Sequence, residues 1–202
     1  MTAIKLCGLA RPCDIETANA LEPQYVGFVF ASKSKRYVTP EKAKELKQML
    51  AFNIKAVGVF VNEKPEIIAA FLNNGLIDVA QLHGDESDDY ITQLRKYTDR
   101  PLIKAFRIKS ANDIVHAEQS TADYVLLDSG AGTGTAFDWN LIHSIKRPYF
   151  LAGGLESGNV RAAIRTLHPF AVDVSSGIET DGVKDKTKMA AFAAAVRKED
   201  ER

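Results

Sequence analysis

The 202 residues are too many for a small domain held together by disulfides, and they are enough for one domain with a sizeable core. Hydrophobic residues make up 46% of the chain and charged residues 26%, which is typical of soluble globular proteins. The 26 basic and 26 acidic residues give a formal charge of zero, so the composition argues against nucleic acid or an anionic membrane as a partner.

The sequence contains no segment that predicts export or membrane insertion. Apolar stretches fall short of the ~20 residues that a membrane span needs, and the N-terminus lacks the basic and apolar regions of a signal peptide. The two cysteines, Cys7 and Cys13, suit a reducing compartment. We therefore expect a cytoplasmic protein with a single domain over residues 1–202.

Eight short apolar runs alternate along the chain with amphipathic segments. The runs are rich in β-branched and aromatic residues, which is typical of buried parallel strands. They span residues 3–9, 25–30, 54–61, 77–84, 101–106, 122–128, 148–154 and 170–177.

The amphipathic segments between these runs predict helices. Thr39 is expected to cap one helix, with Pro40 at its first position, and Pro65 begins another. Further helices are predicted over residues 87–97, 111–119, 157–167 and 184–198, and a short one is predicted after Trp139.

Regular strand–helix alternation implies a parallel sheet, and eight units is the number that closes a (β/α)8 TIM barrel. The main alternative is a doubly wound open sheet. No G-x-G-x-x-G follows the first strand, where a dinucleotide site of such a fold would place it. We therefore predict an α/β fold of the TIM-barrel type.

Active sites of such barrels form at the carboxyl ends of the strands. Because side chains alternate along a strand, the polar residues near these ends fall into pairs that share a face. The pairs are Lys5 with Cys7, Gln81 with His83, Leu126 with Asp128, and Asp173 with Ser175. If these are the interior faces, the polar groups converge on one mouth of the barrel.

Two turns made of glycine and serine follow the last two strands. Gly153-Gly154 and Ser175-Ser176-Gly177 stand where many barrels hold phosphate. Glycine lets backbone N–H groups approach phosphate oxygens, and serine adds hydroxyl donors. Either turn alone would be consistent with a simple strand end, but the two together favour a phosphate site.

Asp128 and Cys7 are the candidate reactive groups at the strand ends. Apolar neighbours disfavour the charged form of a carboxyl, so Asp128 is a candidate general acid, with a solvated aspartate or a lysine partner as the alternative. Cys7 is either a small buried hydrophobe or a reactive sulfur at a strand tip. The glycine-rich stretch 129–136 is either a loop that closes over a ligand or an ordinary connection.

Arg36 is the candidate anion contact in a basic loop that also holds Lys33 and Lys35, which we interpret as solvated charges. Arginine binds planar carboxylates or phosphates bidentately. His83 either contacts a ligand or a neighbour at the rim. No metal is expected, because metal-ligand spacing to carboxylates is lacking at the other histidines, His116, His143 and His168.

The strand ends carry motifs whose order and spacing resemble the phosphoribosylanthranilate isomerase family of tryptophan biosynthesis. The motifs are KLCGL, GFVF…SKRYV, VGVFVNE, QLHGDE, LLDSGAGTG…FDW, LAGGL…NV and DVSSGIE…GVKD, and the resemblance covers about residues 4–190. It implies a (β/α)8 barrel that needs no cofactor, takes a small phosphosugar, and is a monomer or a homodimer. One departure is Ala131, where the family usually has a glycine.

The resemblance implies an Amadori rearrangement of N-(5′-phosphoribosyl)anthranilate to 1-(2-carboxyphenylamino)-1-deoxyribulose 5-phosphate. Cys7 would be the general base and Asp128 the general acid. The remaining expected contacts are Arg36 with the anthranilate carboxylate, His83 and Asp173 with the ribose region, and Gly153, Gly154, Ser175, Ser176 and Gly177 with the phosphate. Because a free cysteine has a pKa of ~8.5, we expect Lys5 to lower the pKa of Cys7.

Two alternatives remain. A related sugar isomerase of histidine biosynthesis would use a pair of aspartates, and Cys7 at the first strand tip argues against it. A non-catalytic sensor of phosphate ligands would need neither the thiol nor the acid of the sixth strand.

Overall fold

The computed structural model describes residues 1–128, Ile142 and residues 145–201, and within them eight parallel strands close into a barrel. The strands are β1 Ala3–Cys7, β2 Tyr25–Val29, β3 Lys55–Phe60, β4 Val79–Leu82, β5 Leu102–Arg107, β6 Tyr124–Asp128, β7 Tyr149–Ala152 and β8 Ala171–Val174. Each strand pairs with the next along the chain, and β8 pairs with β1. The predicted barrel is confirmed, and the open sheet was the wrong alternative.

Helices connect the strands on the outside of the barrel. They are α1 Pro12–Leu21, α2 Pro40–Met49, α3 Pro65–Asn73, α4 Asp88–Leu94, α5 Ala111–Gln119, α6 Val160–Leu167 and α7 Lys186–Asp200. Helix α2 begins as predicted, with the Thr39 hydroxyl accepting a hydrogen bond from the Lys42 N–H and Pro40 at the first position. None of the described helices is long and apolar enough to cross a membrane.

The sequence patterning missed α1. Two of the residues that this helix buries, Asp14 and Thr17, are polar, so it lacks the apolar stripe by which the other helices were predicted. The glycine-rich stretch 129–136, which includes Ala131, and most of the helix predicted after Trp139 lie outside the described residues.

Side chains alternate between two packing environments along each strand. In β1, Ile4 and Leu6 point outward into the core between barrel and helices. The inward-facing side chains fill the amino-terminal part of the barrel with an apolar cluster, whose members include Ala3, Tyr25, Val57, Val79, Ile103, Leu126, Phe150 and Ala171. Nearer the carboxyl ends, the interior becomes polar, with Lys5, Gln81 and Asp173 all buried.

A short hairpin follows β8. After a 3-10 turn at Ser176–Ile178, β9 Glu179–Thr180 pairs antiparallel with β10 Val183–Lys184. Asp181 and Gly182 connect them with positive φ angles of 52° and 78°, as a tight two-residue hairpin turn requires. The hairpin places Glu179 opposite Lys184.

Candidate active site

A cavity of about 550 Å³ opens at the carboxyl ends of the strands. All the residues predicted to form the site, except Gly177, line it. They are Cys7, Arg36, His83, Asp128, Gly153, Gly154, Asp173, Ser175 and Ser176. These side chains lie together at one mouth of the barrel, as expected if they are on the interior faces of their strands.

Gly177 packs closely against the loop after β7, and its predicted contact with phosphate stays a prediction. A Cβ atom at this position would lie 1.9 Å from the backbone oxygen of Leu155. Only glycine therefore lets the turn after β8 pack against the loop after β7. The two predicted phosphate turns lie side by side because β7 and β8 are adjacent in the barrel, and Gly177 allows their close approach.

The thiol of Cys7 occupies space that Gly27 leaves free. Cys7 ends β1, is 7% exposed, and pairs in register with Gly27 of β2. A Cβ atom at Gly27 would lie 2.6 Å from Cys7 Sγ, well inside van der Waals contact. The absence of a side chain at Gly27 on the neighbouring strand therefore allows the sulfur to occupy this position.

Gly27→Ala is expected to move the Cys7 sulfur and to lower kcat more than it raises KM. The added methyl group must displace either the sulfur or the β1 backbone, and overpacking of this kind costs about 1–3 kcal/mol of unfolding free energy. Steady-state kinetics and urea unfolding measure the two effects. The control is Gly75→Ala. Gly75 has a φ of 72° and open space around it, so this substitution strains the backbone without a steric clash. Equal kinetic losses in both variants would contradict the steric explanation.

Burial raises the pKa of the Cys7 thiol. The nearby positive charge of Lys5 acts in the opposite direction, as does that of Lys184, while the carboxylate of Asp173 adds to the increase. The expectation that Lys5 lowers the pKa of Cys7 below its ordinary value is therefore wrong for the net shift. Lys5 acts in the expected direction, but desolvation outweighs it.

Alkylation of Cys7 in the free protein is expected to accelerate with pH beyond the ordinary titration range of a cysteine. Only the thiolate reacts, and the raised pKa keeps the thiolate fraction low near neutrality. The measurement is the rate of iodoacetamide labelling of a Cys13→Ser chain, since Cys13 is exposed and would react as well. A rate that reaches its plateau near pH ~7 would contradict the raised pKa.

Lys5 and Asp173 form an ion pair inside the barrel. Lys5 Nζ lies 2.9 Å from Asp173 Oδ1, and the two side chains are 0% and 7% exposed. Burial acts to lower the pKa of Lys5, but Asp173 and Cys7 more than offset it, so the net pKa is raised and the ammonium group stays charged. A fixed positive charge therefore lies beside the thiol.

Lys5→Met is expected to lower the free energy of unfolding by about 3–5 kcal/mol, because it leaves the Asp173 carboxylate buried without its partner. Urea denaturation measures the loss. The double variant Lys5→Met/Asp173→Leu should recover much of it, since a buried pair can be replaced by apolar residues at little cost. Equal losses in the single and double variants would mean that packing, not the unpaired charge, causes the destabilisation.

Arg36, Glu179 and Lys184 form a second charged network at the cavity wall. Arg36 Nε and Nη2 lie 2.6 and 2.7 Å from the two oxygens of Glu179. Lys184 Nζ donates to Glu179 Oε1 at 2.5 Å and to the Ser175 carbonyl at 2.9 Å. Glu179 holds one edge of the guanidinium, and the Nη1–Nη2 edge provides a second fork for an anion.

The ionisation of this network follows from its contacts. Burial acts to raise the pKa of Glu179, but the hydrogen bonds from Arg36 and Lys184 outweigh it and lower the net pKa. Burial lowers the pKa of Lys184, although Glu179 and Cys7 act against the decrease. The pKa of Arg36 is raised, chiefly by the hydrogen bonds to Glu179.

Asp128 and Cys7 lie on facing sides of the mouth. Asp128 ends β6 and Cys7 ends β1, so β7 and β8 separate them one way around the barrel and β2 to β5 the other. His83 Nε2 lies 3.6 Å from Asp128 Oδ2. A ligand in the cavity would therefore have a carboxyl group on one side and a thiol on the other.

The glycines after β7 adopt conformations that side chains disfavour. Gly153 and Gly154 have φ angles of 92° and 63°. The Gly154 carbonyl accepts a hydrogen bond from the Asn159 side chain at 2.9 Å, which fixes the turn. These glycines, Ser175 and Ser176 line the same cavity.

The family model "N-(5'phosphoribosyl)anthranilate (PRA) isomerase" matches residues 4–195. The chain belongs to this family. The N-(5′-phosphoribosyl)anthranilate isomerase of Thermoanaerobacter sp. (strain X514) is 44% identical, with 98% of each chain covered. The phosphoribosyl anthranilate isomerase structure from Thermotoga maritima matches at 35% identity with a TM-score of 0.90, covering 98% of this chain and 100% of that one.

A second similar solved structure contains a bound ligand. It is a phosphoribosyl anthranilate isomerase in complex with reduced 1-(o-carboxyphenylamino)-1-deoxyribulose 5-phosphate, 35% identical, with a TM-score of 0.87 over 98% of this chain and 100% of that one. The family expectation drawn from the strand-end motifs is confirmed. The roles of the individual site residues stay predictions.

Sequence reasoning did not assign Glu179, Lys184 or the Gln81–His83 contact to the site. The Asp181-Gly182 turn is the signal that would have predicted the hairpin and hence the meeting of Glu179 with Lys184. Among the residues that the structure describes, no group of three or more His, Cys, Asp or Glu side chains is placed to hold a metal ion.

Proposed function

We propose that this chain isomerises N-(5′-phosphoribosyl)anthranilate to 1-(2-carboxyphenylamino)-1-deoxyribulose 5-phosphate, with Asp128 as general acid and Cys7 as general base. One observation carries the assignment of roles: the Cys7 thiol and the Asp128 carboxyl lie on facing sides of a single cavity. This aldose–ketose rearrangement needs an acid that protonates the ring oxygen and a base that removes the proton from C2′.

The first step opens the sugar ring. The O–H bond of protonated Asp128 breaks, and the proton goes to the furanose oxygen as the C1′–O bond breaks. The lone pair of the anthranilate nitrogen forms a C=N bond, which gives a Schiff base. Asp128 is left as a carboxylate on the β6 side of the cavity.

The second step removes the C2′ proton. The Cys7 thiolate takes this proton, and the electron pair of the C–H bond forms the C1′=C2′ double bond of an enolamine while the C=N electrons return to nitrogen. The enolamine then tautomerises, with the C2′ hydroxyl becoming the ketone and C1′ gaining a proton. No net oxidation occurs, because C1′ is reduced as C2′ is oxidised.

The raised pKa of Cys7 suits a base that must remove a proton from carbon. A thiolate with a high pKa is a stronger base than one with a low pKa, although it is less populated. Lys5 and Lys184 offset part of the cost of forming that thiolate in a buried position. The raised pKa of Cys7 is therefore a compromise between the strength of the thiolate as a base and the fraction of the thiol that is ionised.

The two anionic ends of the substrate match two parts of the cavity wall. Arg36 offers a guanidinium fork to the anthranilate carboxylate. Gly153, Gly154, Ser175 and Ser176 offer N–H and hydroxyl donors to the phosphate. His83 and Asp173 line the same cavity.

We further propose that the protein acts in the cytoplasm as one domain over residues 1–202, on a small phosphosugar and without nucleic acid, membrane or cofactor. The isomerase from Thermotoga maritima is described as dimeric. This chain is proposed to be a monomer or a homodimer, which sedimentation velocity distinguishes.

The proposal is tested by turnover of phosphoribosylanthranilate, made in situ and followed by the loss of its fluorescence. Conversion to the carboxyphenylamino ketose supports the proposal. Turnover of only the aminoaldose of histidine biosynthesis would instead indicate the related sugar isomerase. Binding of product or of inorganic phosphate without turnover would indicate a sensor.

A further inference from the structure

The imidazole ring of His83 lies between the Gln81 amide and the carboxyl of Asp128, the candidate acid. The amide nitrogen of Gln81 lies 2.7 Å from His83 Nδ1, and His83 Nε2 lies 3.6 Å from Asp128 Oδ2. With the Gln81 amide nitrogen towards the ring, Nδ1 is the acceptor, because an amide nitrogen donates hydrogen bonds and does not accept them; the opposite amide orientation would reverse these roles. In a neutral imidazole the proton is then on Nε2, which is the atom that faces Asp128.

Gln81 is a costly residue for the interior of a barrel. Its side chain is buried, and its Oε1 atom has no hydrogen-bond partner among the residues that the structure describes. A buried amide oxygen without a partner is destabilising, and an apolar side chain of similar size would avoid this cost. The contact with His83 is the interaction that an apolar side chain would not provide.

We propose that Gln81 and His83 are positioning residues for Asp128, in a deepening of the proposed function on which this inference rests. Gln81 fixes the tautomer that carries its proton on Nε2, and this N–H group stabilises the Asp128 carboxylate. That carboxylate forms when the Asp128 proton moves to the furanose oxygen and the O–H electron pair stays on Asp128. A donor directed at developing charge lowers the barrier, and a long contact in the free enzyme commonly shortens with substrate bound.

His83 shares its surroundings with charged groups from several elements. In addition to Asp128 on β6, the groups in the two cavities that His83 lines are Cys7, Arg36, Asp85, Glu86, Lys104, Arg107, Asp113 and Asp173. Glu86 and Lys104 form a buried pair at 3.0 Å, and Glu86 also accepts the Gly84 N–H at 2.8 Å. This pair fixes the backbone that follows His83, while Gln81 contacts the ring itself.

The tautomer is measured directly by long-range proton–nitrogen NMR of the imidazole rings in the full chain. In the neutral ring, we expect His83 to be protonated on Nε2 and unprotonated on Nδ1. Gln81→Met, which has no donor for Nδ1, should shift the ring toward a mixture of tautomers. The His83 signal is assigned by its loss in His83→Gln, with the exposed His116→Gln as control; protonation on Nδ1 would overturn the proposal.

Kinetics provide the second measurement. His83→Gln keeps an N–H donor near Nε2, whereas His83→Leu removes it. We expect kcat to fall about 10–100-fold in His83→Leu, about 3–10-fold in Gln81→Met and less than about 5-fold in His83→Gln, with KM changing less than about 3-fold. Equal losses in His83→Gln and His83→Leu, or changes confined to KM, would overturn the proposal.

The NMR measurement needs no substrate, which separates this inference from the proposed function. A native chain without isomerase activity would refute the proposed function, whereas an active chain with His83 protonated on Nδ1 would refute only the role of Gln81 and His83. If His83→Leu does not fold, the tautomer and the His83→Gln rate decide the question.

Discussion

Cys7→Ser is expected to lower kcat about 10³-fold, because a hydroxyl of almost the same size is far too weak an acid to supply the base for C2′ deprotonation. The substitution leaves the space beside Gly27 filled, so the fold and KM should change little. Loss of phosphoribosylanthranilate fluorescence measures the rate, and urea unfolding monitors stability. The matched control is Cys13→Ser, which replaces an exposed thiol and should retain full activity.

Full activity of Cys7→Ser would refute Cys7 as the base. A loss of both activity and stability in Cys7→Ser would instead indicate that the thiol is a packing residue. The distinction matters here because Cys7 is buried, and a buried cysteine commonly serves only as a small hydrophobe.

Asp128→Asn is expected to lower kcat about 10³-fold, because the amide matches the carboxyl in size but has no acidic proton for the ring oxygen. KM should stay within about 3-fold of the native value, since the predicted phosphate and carboxylate contacts are on other strands. Raising the pH should not restore the rate, because the missing group is an acid. The control is Asp99→Asn, which makes the same substitution at an exposed position.

An Asp128→Asn enzyme that opens the ring at the native rate would refute the assignment of the acid. An increase in KM alone would place Asp128 among the binding residues. Together with the Cys7 variant, this result tests whether both proton transfers need the facing groups.

The barrel could be predicted from the sequence because its two periodicities are strong. Alternation along β1 places Lys5 and Cys7 inside and Ile4 and Leu6 outside, and the same rule places His83 and Asp128 at the mouth. These features depend only on neighbours along the chain. The strand-end motifs then identified the family.

The features that the sequence did not reveal depend on contacts between distant segments. The weakly patterned α1 is stabilised by tertiary packing, and Arg36 meets Glu179 only because a hairpin folds back after β8. The net pKa of Cys7 likewise reflects a balance between burial, the charge of Lys5 on the same strand, and the charges of Asp173 and Lys184 from distant parts of the chain. No spacing along the chain encodes such a balance.

The two charged networks around Cys7 have a joint consequence for electroneutrality. Lys5, Lys184 and Arg36 are cations, and Asp173 and Glu179 are anions, so this wall carries one net positive charge while Cys7 is a thiol. Loss of the thiol proton makes the wall neutral. In the proposed mechanism, the step that creates the base therefore also weakens the attraction of this wall for a substrate with two anionic groups, so that substrate capture and proton abstraction oppose each other through the ionisation of a single sulfur atom.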